Sequence, residues 1–171
     1  GAGHVPGIKK YWNTEIDMAR LEQIPPKGKT SGILKWLIPL SIFVIFVFGF
    51  YHGGTHAGTE MITWWIMANG ILAGLGAVIA FAHPFTILSS VLAAPLTSLN
   101  PMIAAGWVSG LVEAFSRKPN VRDFENFPED ILSIRGFWRN KITRILLVVV
   151  FTNIGSSLGT FVAIPLMVKV L

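Results

Sequence analysis

Long apolar runs alternate with short polar breaks along this chain, and the lengths of the runs are its most informative feature. Residues 1–32 are polar, with Ile8, Tyr11, Trp12, Ile16 and Ala19 recurring at roughly helical spacing, which predicts a short amphipathic helix. Pro25-Pro26 stops it, and Lys27 to Gly32 reads as a linker. Residues 33–51 form an unbroken apolar run long enough to cross a bilayer, with Pro39 as a candidate kink and Lys35 placed to reach the interface. The connection 52–60 carries no Lys or Arg. A second apolar run covers 61–82, with Trp64 and Trp65 near one end as an interfacial belt.

The pattern then changes. His83-Pro84 breaks the helix. The apolar stretches 85–94 and 102–115 are each too short, at about 1.5 Å per residue, for a hydrocarbon core of about 30 Å. The Pro/Ser/Asn turn between them predicts a broken, re-entrant hairpin over 84–115, with two short tilted crossings as the alternative. Residues 116–141 are the main polar loop. Within it Pro128, Glu129 and Asp130 open a helix whose Ile131, Ile134, Trp138 and Ile142 share a face in the headgroup region. The run 145–168 is the last span. The expected architecture is all-α: an integral membrane bundle over 33–171 with three full spans (33–51, 61–82 and 145–168) plus the hairpin.

Composition agrees with that pattern. Apolar residues make up 52% of the chain and charged ones 13%, about half the charge of an ordinary soluble domain. The net charge of +5 does not indicate nucleic acid, because the basic residues fall in two clusters beside apolar runs. Lys9, Lys10, Arg20, Lys27, Lys29 and Lys35 precede the first run, and Arg117, Lys118, Arg122, Arg135, Arg139, Lys141 and Arg144 precede the last. Both clusters share the cytoplasmic side only if 84–115 leaves and re-enters on one face, which sets the N-terminus and the 116–141 loop inside. Cysteine is absent, which excludes disulfides, thiolate metal sites and a Cys nucleophile. The start, Gly1-Ala2-Gly3-His4, has no basic n-region and reads as the continuation of a longer chain.

Three G-x-x-x-G patterns, Gly70/Gly74, Gly106/Gly110 and Gly155/Gly159, mark close helix packing, either within the chain or in a homo-oligomer. Among polar groups at apolar depth, Asn69, His83, Asn100, Glu113 and Asn153 stand out, with Ser89, Ser90, Ser98, Thr152, Ser156 and Ser157 beside them. Glu113 either binds a proton or cation in a transport path or pairs with Arg117 one turn on. His83, before a proline, suits a helix cap better than a proton relay, and Asn100 and Asn153 suit interhelical hydrogen bonding better than a substrate site. His52 and His56 would ligate zinc only if their glycine-rich loop were helical, which its composition disfavours. No Walker loop, dinucleotide fingerprint, catalytic triad or H-E-x-x-H occurs.

Several stretches carry a resemblance. Leu96-Thr-Ser-Leu-Asn-Pro101, Ala104-Ala-Gly-Trp107, Gly110-Leu-Val-Glu-Ala114, Arg117-Lys-Pro119 and Val121-Arg-Asp-Phe124 are similar to the TraB/PrgY family of pheromone-shutdown-related proteins. So are Gly136-Phe-Trp-Arg-Asn140, Arg144-Ile-Leu146 and Asn153-Ile-Gly-Ser-Ser157. The opening Gly1-Ala-Gly-His-Val-Pro-Gly-Ile8 looks like the end of that family's soluble domain, so residues 1–32 are expected to be its remnant plus a linker. That domain resembles the TIKI-type metal-dependent peptidases, whose site uses two G-x-x-H motifs and carboxylates. Only one matches here, through His4. The resemblance implies a membrane anchor in a prokaryotic plasma membrane, for a soluble domain that cleaves or sequesters a peptide with a divalent metal. No cofactor and no catalysis are expected of this chain itself. The competing expectation is a transport or channel module built on 84–115, with Glu113 and Asn100 lining its path.

Overall fold

A computed structural model describes residues 2–13, 22–23 and 29–171, with side chains described over 3–13, 22–23 and 35–171. The chain divides into two compact units, Gly1–Gly32 and Ile33–Leu171. In the first, a short 3-10 turn at Ala2–His4 leads into helix α1, Val5–Tyr11. Pro6 sits in its first turn, where a missing N–H costs nothing, and Lys9 and Lys10 lie in its last turn, where cations suit the helix dipole. Ile8, Tyr11 and Trp12 are all exposed. The rest of the expected amphipathic pattern (Ile16, Ala19), the Pro25-Pro26 stop and most of the linker lie outside the described residues.

The second unit is helical wherever it is regular: α2 (Lys29–Ile79, whose first four residues belong to the first unit), α3 (Pro84–Thr97), α4 (Ala105–Ser116), α5 (Val121–Glu125), α6 (Phe127–Asp130), α7 (Ile134–Arg139) and α8 (Lys141–Val168). Helix α2 is two helices, because Gly54 adopts φ 70°, ψ −168° in its middle, a conformation open to glycine and almost nothing else. Contacts across that point show the chain folding back on itself. Phe46 meets Trp65 edge to face at 6.1 Å, and a methyl added to Gly58 would strike the Phe50 ring. The expected nine-residue connection at 52–60 is thus a one-residue reversal, with helix running up to it on both sides. His52 and His56 fall on opposite sides of Gly54, so they do not share one helical turn.

The limb 55–79 runs antiparallel to α8. Gly76 faces the Phe151 carbonyl, Gly155 the Leu72 carbonyl, and Gly159 the backbone of Ala68 and Asn69. At the far end Met61, Trp65, Ala163 and Met167 close a small apolar core with Ile42 of the first limb. Helices α3 and α4 form an antiparallel hairpin, which packs on 55–79 through α3 (Gly70 and Gly74 against Val91) and on α8 through α4 (Gly106 and Gly110 against Val149). Helix α3 continues three residues past the expected stop at Ala94. Pro95 stands in its last turn, where the ring costs only the bond to the Val91 carbonyl.

The loop 116–141 differs from the single helix expected there. It holds three short helices, because Gly136 is pressed against the Asp130 carbonyl and Asn140 caps α8 from an extended conformation. Asn140 is buried: its Oδ1 accepts from Ile142 N–H at 2.9 Å, while its Nδ2 donates to Asp123 O at 2.7 Å and Asp130 Oδ2 at 3.0 Å. Helix α8 therefore starts at Lys141, four residues before the expected span.

Burial runs against the usual order. Among described residues the buried set is rich in Ala, Ser, Thr and Asn with one Glu, whereas Leu92, Leu96, Phe115 and Phe161 are each at least 65% exposed. Among the described residues two helical stretches are long and apolar enough to cross a bilayer, Lys35–Ile79 and Lys141–Val168, the first being the one reversed at Gly54.

Candidate functional site

The most polar buried feature is the seam inside the α3–α4 hairpin. Thr86 and Ser90 lie one turn apart on α3, and Ser109 and Glu113 one turn apart on α4. Antiparallel pairing sets Ser90 opposite Ser109, their hydroxyls 2.8 Å apart, and Thr86 opposite Glu113. Further along, Ala94 and Ala105 close the seam as apolar contacts.

Glu113 is 1% exposed. Its Oε2 accepts from Thr86 Oγ1 at 2.6 Å and from the His83 backbone N–H at 2.7 Å. Its Oε1 faces Arg117 Nη1 at 3.3 Å, ion-pair distance without the alignment of a hydrogen bond, so that oxygen is otherwise unpartnered among the described residues. The same Nη1 donates to the Phe81 carbonyl at 2.7 Å. Glu113 therefore ties both ends of the hairpin, and through Arg117 the turn after α2. Such a network strengthens in low dielectric, where a lone carboxylate would be costly. His83 is the N-cap of α3, its Nδ1 accepting from Phe85 N–H at 3.3 Å.

Free carbonyls at helix C-termini need donors, and aromatic or basic side chains supply them. Trp65 Nε1 donates to Pro95 O at 2.9 Å, Trp138 Nε1 to Ile79 O at 3.0 Å, and Lys141 Nζ to Lys118 O at 3.1 Å. Arg144 donates to Trp138 O through Nε at 2.7 Å and also through Nη2.

At the hairpin tip lies a cavity of about 470 Å³, whose polar lining includes Ser98, Asn100, Asn153, Ser156, Ser157 and Thr160. Asn153 Oδ1 accepts from Gly106 N–H at 2.7 Å, pinning the start of α4 to α8, and Asn100 Oδ1 accepts from Met102 N–H at 2.9 Å within the turn. Thr160 donates to Asn69 Oδ1 at 3.2 Å. The lining holds no charged residue. It can offer hydroxyls and amides to an uncharged guest or to water, and nothing in it resembles a nucleophile with a base.

The residues singled out in the sequence thus fall into three groups. Glu113 and His83 meet at the mouth of the hairpin, Asn100 and Asn153 line one cavity, and Asn69 joins α8 beside Gly159. All six glycines of the G-x-x-x-G patterns face another helix of this same chain. His4 lies in the first unit, and no group of three or more His, Cys, Asp or Glu that could hold a metal occurs among the described residues. Thr86, Ser109, Gly76 and Asn140 were not singled out. A signal for two of them existed: polar pairs four apart on either side of a proline-rich turn, at matching distances from it.

Residues 30–171 match the family described as TraB family protein, C-terminal domain. An uncharacterized protein of Methanocaldococcus jannaschii is 33% identical over 171 residues, covering 94% of this chain and 43% of its own length. TraB domain-containing proteins of Bos taurus and Homo sapiens are 28% and 24% identical over 57 and 63 residues, covering 33% and 37% of this chain and 15% and 17% of their own. The chain spans less than half the length of these curated relatives. No solved structure matches it.

Proposed function

The chain belongs to the TraB family through its C-terminal domain, and from that membership we propose that it is the membrane-embedded anchor of a longer protein. The observation that carries this reading is the reversed order of burial: large apolar side chains face outward while Ser, Thr, Asn and Glu face inward. In water that surface would aggregate. In lipid it is the expected solution, since small and polar residues join helices where the surroundings supply no hydrophobic drive. The limbs of α2 and the helix α8 are the three spans, each about 37–42 Å at about 1.5 Å per residue. The α3–α4 hairpin, about 21 Å and 18 Å by the same rise, is re-entrant, and part of its irregular tip lines the polar cavity. The 116–141 loop and the N-terminal side are cytoplasmic, and the membrane is a prokaryotic plasma membrane.

Within a longer protein the anchor would hold a TIKI-like soluble domain against the bilayer, where that domain cleaves or sequesters a peptide with a divalent metal, as the PrgY-type pheromone-shutdown resemblance suggests. Assembly as a homo-oligomer remains compatible with this role. The chain, which has no native cysteine, is tested by single cysteines at Thr55 and Asn120 in right-side-out and inverted vesicles. Labelling from opposite faces supports the topology, and labelling from one face, or release of the protein by alkaline carbonate, removes it. Hydrolysis of peptides by this purified chain with added divalent metal would remove the division of labour.

A second reading has its own support. The buried Glu113 with one oxygen free of hydrogen bonds, together with the polar cavity, suits a transport module. Flux through reconstituted protein that Glu113→Gln abolishes would favour it, and silence across ions and small solutes leaves the anchor ahead.

A further inference from the structure

We infer that Arg117, Lys118, Lys141 and Arg144, gathered where α4 ends and α8 begins, form a site for the phosphate of an anionic phospholipid. The inference rests on the membrane reading above and adds a ligand to it. Contacts bring the segment just after α4 and the start of α8 together. Lys141 Nζ reaches the Lys118 carbonyl at 3.1 Å, and Arg144 lies within electrostatic reach of both Arg117 and Glu113. Among the described residues Glu113 makes the one ion pair, to Arg117, while the nearby carboxylates of Asp130 and Asp123 are taken up by the Asn140 amide and the Asn120 N–H. The four cations still outnumber the carboxylates around them, and Arg117 and Arg144 lie within electrostatic reach of one another.

Bonds to main-chain carbonyls do not use up these groups. A guanidinium has five N–H donors and an ammonium three. Arg144 spends donors on a single carbonyl, Arg117 uses Nη1 on Phe81 O, and Lys141 makes one bond. What the carbonyls do is hold the stems in place, so little side-chain freedom is left to lose when an anion arrives. The remaining donors of a fixed guanidinium suit phosphate oxygens, which accept paired N–H groups.

The surroundings favour a lipid as the source of that phosphate. Phe115 on α4 and Leu146 on α8, two positions from Arg117 and Arg144, are 69% and 53% exposed, so the helices that carry the cluster present apolar side chains at the same level. Trp138, whose carbonyl holds Arg144, stacks on Phe151 with ring centres 6.3 Å apart and stands where the polar loop meets the apolar helices, the level at which tryptophan settles in bilayers. A basic pocket between helices on the cytoplasmic side is the usual form of an acidic-headgroup site.

The test uses the whole chain in neutral detergent, with thermal unfolding followed against added phosphatidylglycerol, phosphatidylcholine or inorganic phosphate. Phosphatidylglycerol should raise the melting temperature in a saturable way that phosphatidylcholine does not match. The double variant Lys118→Ala/Lys141→Ala should weaken that response by about tenfold or more, while Lys9→Ala/Lys10→Ala leaves it unchanged. Equal responses to the two lipids, or an unaltered response in the Lys118/Lys141 variant, would overturn the site. Saturation by inorganic phosphate at matching concentration would overturn the lipid as its ligand. None of these failures touches the anchor reading, which fails instead if alkaline carbonate releases the protein from membranes.

Discussion

Thr86 Oγ1 and Glu113 Oε2 lie 2.6 Å apart across the two short helices of the hairpin, a charge-assisted bond between groups sealed from solvent. Because that oxygen also takes the His83 N–H, and Arg117 faces the other one, removing the carboxylate strands three donors together. Glu113→Ala should destabilise the chain by about 1–3 kcal/mol, the range for stranding buried donors, since Arg117 is partly exposed and its charge can reach solvent. Glu113→Gln keeps an acceptor for Thr86 and His83 and should cost clearly less. Unfolding of both variants in mixed micelles by SDS titration checks the order, and equal losses would show that the hydrogen bonds, rather than the ion pair, contribute nothing extra.

Gly54 permits the reversal of α2 through a backbone conformation that L side chains rarely adopt. Gly54→Ala should cost on the order of 1–3 kcal/mol, although nothing lies within 4 Å of an added methyl. The loss therefore reports strain and not crowding. Gly3→Ala, also in open space but without a positive φ, serves as the comparison and should be close to neutral in the same titration.

Gly155 represents the opposite case, with helical backbone but no room, since an added Cβ would press on the Leu72 carbonyl. Gly155→Ala should force α8 away from the limb 55–79 and cost about 1–3 kcal/mol. A double-mutant cycle with Gly76→Ala, which meets the Phe151 carbonyl on the same crossing, should show strong non-additivity, because the second methyl enters a gap the first has already opened.

Much of this was legible in the sequence, for identifiable reasons. The all-helical class followed from run lengths, and membership of the TraB family from the stretches between Leu96 and Ser157. The reversal was expected across 52–60, but its confinement to Gly54 was hidden because Gly53, Gly54 and Gly58 together look like a loop, whereas one positive φ suffices to turn two helices. The seam was half visible. Glu113 announced itself by its charge, but Thr86 and Ser109 are ordinary in apolar helices until antiparallel register places them opposite partners. Asn140 could not be recognised from its neighbours alone, since its importance lies in three bonds to residues up to 17 positions away.

Asn140→Ala removes the cap of α8 and two bonds that fold the loop. Its cost should be about 2 kcal/mol from the cap and the stranded partners combined. Limited proteolysis should then cut within 121–139 faster than in the parent chain while leaving the helices on either side intact. Unchanged cleavage would mean that Asp123 and Asp130 hold the loop without it.

The seam also bears on the order in which the chain is assembled. Its polar groups are paired within 83–117, each half solvating the other, and the limb on which α3 rests precedes it in sequence. If the chain is the membrane anchor proposed above, the hairpin can leave water as a finished unit while α8 is still unmade, and only the glycine face of α4 waits uncovered for the last helix to arrive.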